Sequence, residues 1–107
     1  MHSVSRLVKR IELIAFDSRP VDEVDIAHLD SSSVKQLLQT WESHVGSSWV
    51  AVWPWNREAI EVAARDFIQH YDDLWYPSSD DVWITNDRTD WLIELNHEEM
   101  ARLWKSG

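Results

Sequence analysis

Apolar residues recur at two different periods along this chain, and the changes of period mark out its elements. Val34, Leu37, Leu38, Trp41 and Val45 fall at three- and four-residue spacing, which predicts a helix from Asp30 to about His44 with one buried face. Asp30, or a serine of Ser31-Ser32-Ser33, supplies the short side-chain oxygen that satisfies free N–H groups in a first turn. Gly46 stands where a C-terminal cap is expected. The run from Ser48 to Trp53 is apolar at every position after the serine, which predicts a central strand covered on both faces and ended by Pro54. Ile60, Ala64, Phe67, Tyr71 and Leu74 then form a second helical stripe. Glu58, Glu61, Arg65, Asp66, Gln69 and Asp73 lie between them, so a helix capped by Asn56 is expected over Arg57 to Trp75.

The ends of the chain are less regular. Arg6 to Phe16 reads as a strand, with Ile11, Leu13 and Ala15 on one face and Val8, Ile14 and Phe16 on the other; Leu7, Ile11 and Ile14 also fit a helical stripe. Asp17 to Asp30, acidic and interrupted by Pro20, reads as a loop with room for a helical turn around Val24 to Leu29. Tyr76-Pro77-Ser78-Ser79 breaks the second helix. Asp81–Thr85 and Asp90–Leu95 flank Asn86-Asp87-Arg88-Thr89, the pattern of a hairpin, which is placed at a sheet edge because one of its faces is polar. Asn96 is expected to cap a short final helix from Glu98 to Trp104. No repeat or low-complexity segment interrupts the series. The fold class implied is α+β (or α/β): a four-stranded, partly antiparallel sheet packed by two main helices, with a C-terminal hairpin and a short final helix.

Composition narrows the function more than the fold. The 107 residues suit one globular domain, 1–107. Ten bases against nineteen acids leave a net charge of −9, which argues against a nucleic-acid partner, since phosphate binding needs a basic face, and equally against an anionic membrane surface. The absence of cysteine removes disulfides, thiolate metal sites and thiol nucleophiles. With Gly46 and Gly107 as the only glycines, neither a dinucleotide-binding fingerprint nor a phosphate-cradling loop can be built. No apolar run approaches the roughly 20 residues of a membrane span, and the first ten residues lack a signal-peptide core. A cytoplasmic protein of bacterial type is the expectation, with no cofactor.

Two features remain. Eight tryptophans occur in a short chain: Trp41, Trp49, Trp53 and Trp91 have the periodicity of interior residues, whereas Trp55, Trp75, Trp83 and Trp104 have polar or turn-like neighbours that suggest partial exposure. Between His70 and Glu99 the chain also carries Asp72, Asp73, Asp80, Asp81, Asp87, Asp90, Glu94, Glu98 and Glu99 against the single base Arg88. Acidic tails are poor in aromatics, so acids interleaved with tryptophan and tyrosine indicate a folded negative surface. Glu98 and Glu99 are explained by a helix first turn. Asp72, Asp73, Trp75, Tyr76, Asp80, Asp81 and Trp83 are not, and they form the candidate partner-binding patch. The paired aspartates do not have the alternating spacing of a calcium loop, and His97-Glu98-Glu99 lacks the second histidine of a zinc helix, so no metal is expected. The leading expectation is a non-catalytic acidic protein that occludes a basic site on a protein partner, such as a toxin, as immunity proteins, antitoxins and inhibitors do. The alternatives are a small enzyme using Glu94 and His97, and a homodimeric structural or regulatory subunit joined through tryptophans.

Overall fold

A computed structural model of the chain describes residues 4–17, 19–76 and 80–106. The elements run α1 (Val4–Asp17), β1 (Asp22–Asp25), α2 (Ser31–Val45), β2 (Ser48–Trp53), β3 (Glu58–Ala63), α3 (Ala64–Leu74), β4 (Val82–Thr85), β5 (Trp91–Leu95) and β6 (Met100–Lys105). The strands form one sheet in the order β1-β6-β5-β4-β2-β3, every neighbouring pair antiparallel. The α+β class stands. Among the described residues, however, the sheet has six strands where four were expected, and three helices accompany it where two main ones were expected.

Both faces of the sheet are used. On one face α2 and α3 enclose Val34, Leu38, Trp41, Trp49, Phe67, Ile84, Ile93 and Leu95. On the other, α1 sets Leu7, Val8, Ile11 and Ile14 against Val50, Val52, Leu92 and Trp104. Those four α1 positions lie on one helical stripe, whereas a strand would have split them between two faces. The first segment is therefore a helix and not the expected strand, and its packing requirement explains why. The alternation along β2 follows: Trp49 and Ala51 serve the first core and Val50 and Val52 the second. As expected, β2 is an interior strand covered on both sides.

Three further expectations are corrected by pairing across the sheet. Glu58–Ala63 is not the start of the second helix; all six residues pair with β2, from Trp53↔Glu58 to Ser48↔Ala63, and form an edge strand. The helix begins only at Ala64, after an extended Ala63 that offers no capping side chain. Met100–Lys105 is a strand between β5 and β1 instead of a final helix. Asp22–Asp25, expected as loop, forms the other edge of the sheet. The β4–β5 hairpin forms as expected but lies inside the sheet, not at its edge. At its turn, buried Asn86 donates from Nδ2 to the Val45 carbonyl (2.9 Å) and to Asp90 Oδ1 (2.7 Å), tying it to the end of α2. The break expected at Tyr76-Pro77-Ser78-Ser79 lies, beyond Tyr76, outside the described residues.

The α2 helix follows its prediction closely. Asp30 accepts from the Ser33 backbone N–H (2.8 Å), the apolar stripe is buried, and Gly46 ends it at φ 97°. Of the tryptophans expected to be partly exposed, Trp75 and Trp104 are buried, whereas Trp53 and Trp91, expected inside, are half-buried. Trp91 is covered instead by His44 stacked at 4.8 Å and by the Lys105 ammonium 5.5 Å from the ring. Two cores, one on each face, accommodate more rings than a single core would.

Candidate functional site

Antiparallel pairing gathers four connections at one end of the sheet: residues 26–30 after β1, 54–57 between β2 and β3, the described residues 75–76 and 80–81 between α3 and β4, and 96–99 between β5 and β6. In sequence these carry Asp30, Asp80, Asp81, Glu98 and Glu99 with one formal base, Arg57, and the last turn of α3 adds Asp72 and Asp73.

Tryptophan N–H groups fix this end. Trp53 Nε1 donates to the Leu74 carbonyl (3.1 Å) and Trp75 Nε1 to the Asp80 carbonyl (2.9 Å), so the exit of α3 and the entry to β4 are both pinned. Trp55 Nε1 donates to Asp81 Oδ2 at 2.8 Å. The other Asp81 oxygen accepts from the His97 backbone N–H (2.8 Å) and from His97 Nδ1 (2.9 Å). Asp81 is buried, yet three donors converge on it. Burial pushes its carboxyl up, but the Trp55 and His97 hydrogen bonds outweigh that and hold it below the ordinary carboxylate value. The same bond holds His97 above its ordinary value, helped by Glu98 and Glu94.

The 96–99 turn explains why no helix follows it. Asn96 Oδ1 accepts from the Glu98 N–H (3.0 Å) and the Met100 N–H (3.1 Å), so the side chain expected to cap a helix closes a tight turn. Glu99 completes the turn at φ 58°. Glu94, the other acid of the expected catalytic group, accepts from Arg102 Nη1 (2.9 Å), and Arg102 Nε also binds Glu23; the three residues form a charged rung across β5, β6 and β1.

The predicted patch therefore divides. Asp72, Trp75 and Tyr76 come together on the α2–α3 side, where they line a cleft of ≈ 230 Å³ with Ile26, Leu29, Val34 and Glu99. Asp73 is exposed on the helix beside them, and Asp80 is half-buried in the following connection. Asp81 is an internal anchor, and half-buried Trp83 packs against the α1 core. Sequence reasoning placed Trp55 among the partly exposed rings but not in the patch. It is the most exposed large apolar residue described, at 74 %, and its position directly after Pro54 in a polar turn was the available signal.

His97 stands on the turn with 62 % of its side chain exposed, and its Nε2 is 4.0 Å from Glu98. Among the described residues no group of three or more His, Asp or Glu side chains is placed to hold a metal ion. No described helix is long and apolar enough to cross a membrane. The chain matches no protein-family model, no curated protein and no solved structure, so its function is read from the geometry of this end of the sheet.

Proposed function

We propose that this chain is a non-catalytic acidic binding protein whose loop end covers a basic site on a partner protein, in the manner of an immunity protein, antitoxin or inhibitor. The observation that carries the reading is Trp55: an indole ring 74 % exposed, held in a fixed direction by a buried carboxylate. An exposed ring of this size forfeits apolar burial that folding could otherwise have used. Fixing it in advance reduces the ordering cost of association, and tryptophan is among the residues most enriched at binding hot spots. Asp72, Asp73 and Asp80, at the same end of the sheet, supply a negative field that speeds encounter with a basic surface and repels acidic competitors.

The catalytic alternative has less support. It requires His97 in a cleft beside Glu94, but His97 projects from a turn and Glu94 is engaged by Arg102. The homodimer alternative rests on surplus tryptophan, and most of that surplus is taken up by the two cores.

The test is affinity capture from the native host with two baits, the natural chain and a variant combining Trp55→Ala, Asp72→Asn, Asp73→Asn and Asp80→Asn. A basic protein retained by the first bait and lost from the second, with circular dichroism unchanged, is the expected result. Equal recovery on both baits would remove the reading.

A further inference from the structure

We infer that the cleft between the 26–30 connection and the end of α3 is a receptor pocket for one lysine or arginine side chain of a protein partner. The inference deepens the reading above and rests on it. Ile26, Leu29, Val34 and Trp75 supply apolar lining to the cleft, and exposed Asp72, the half-exposed Tyr76 ring and Glu99 supply polar lining. Among the described residues no basic one lines it. Its lining is therefore part apolar and part anionic.

Long basic side chains have the complementary construction: an apolar methylene stem carrying a cationic head. A stem laid against Leu29 and Trp75 is removed from water, while the head reaches Asp72 and Glu99 at the solvent edge and needs no full desolvation. An acidic side chain would be repelled by the same two carboxylates, and a purely apolar one would leave them without a partner. The framework is braced for the purpose. The Ile26 N–H donates to the Glu99 carbonyl (2.9 Å), joining the two neighbouring connections that face the end of α3 across the cleft, and Trp75 is fixed through Asp80.

The experiment is an amide and indole chemical-shift titration of the full chain, read at Ile26, Leu29, Glu99 and the Trp75 indole. The probes are Nα-acetyl-lysine amide, Nα-acetyl-arginine amide, Nα-acetyl-norleucine amide and hexalysine. The expected result is saturable shifts with the lysine or arginine probe, at a dissociation constant on the order of millimolar, and none with norleucine. Asp72→Asn combined with Glu99→Gln, its spectrum otherwise unchanged, weakens that binding by about tenfold. Shifts of equal size with norleucine, or none with either basic probe, overturn the pocket. Hexalysine separates the two levels of the argument. If it moves exposed acidic-end amides but not the Trp75 indole, the pocket fails and the acidic-surface reading survives. If it moves nothing at this end, both fail.

Discussion

Removing the Asp81 carboxylate strands several donors at once. Its oxygens accept from the Trp55 indole, the His97 backbone and the His97 ring, and the residue is buried. Asp81→Ala is expected to cost about 1–3 kcal/mol in chemical denaturation, because the His97 N–H loses its partner in a part-buried site. Trp55→Ala, by contrast, removes a mostly exposed ring and one of the donors to Asp81, and is expected to cost about 1 kcal/mol or less in stability while weakening partner binding strongly. That separation of stability from binding is what an anchor residue predicts and a core residue does not. The Asp81–His97 pair also sets a pH signature. His97 is held above its ordinary value, so its contribution is complete below about pH 6.5 and is lost as pH rises through the folded-state value. Asp81 is held below its ordinary value, so its contribution is present above about pH 3.8 and is lost as pH falls through the folded-state value. The stability difference between the natural chain and His97→Gln should therefore be larger at pH 5.5 than at pH 8.5. A difference that grows toward alkaline pH would contradict the pairing.

At the scale of elements, the legible parts were those in which local chemistry and tertiary demand agree. In α2, the Asp30 cap, the stripe from Val34 to Val45 and Gly46 all specify the same boundaries. Gly46 adopts φ 97° and ψ 178°, a region open essentially only to glycine, and an added Cβ would meet nothing within 4 Å. Gly46→Ala is thus expected to cost about 1–3 kcal/mol in backbone strain alone, measured by thermal unfolding. The illegible parts were those in which pairing overrides local preference. Glu58-Ala-Ile-Glu-Val-Ala63 has a helix-former's composition, yet it extends because β2 offers six residues of ladder; the result merged β3 with α3 in the reading of the sequence. Met100–Lys105 was misread for the same reason, since β1 and β5 recruit it from both sides. The candidate site was legible in composition but not in geometry. Nothing local to Asp81 indicates that it turns inward toward Trp55, 26 residues earlier in the chain. The uncapped start of α3 leaves room for improvement. Ala63 has the extended backbone of an N-cap without its oxygen, so Ala63→Ser is expected to gain about 0.5–1 kcal/mol.

For the molecule as a whole, a net charge of −9 concentrates its consequences in kinetics. Association with a basic partner is expected to slow by about tenfold or more between low and high salt while dissociation changes little, a pattern that stopped-flow tryptophan fluorescence, compared with the Trp55→Phe variant, can follow. Equal salt dependence in both directions would remove the steering argument. The order of the strands carries a different consequence. Asp22 pairs with Leu103, and α1 packs against Trp104, so the first helix and first strand are completed only by the last strand. Contacts that span nearly the whole sequence require the large loop to close before they contribute anything. The first half of the chain, whose strands β1 and β2 are not neighbours, then cannot form its share of the sheet alone. These closures are expected to slow folding, and the acidic end, assembled from four distant connections, is complete only after they form.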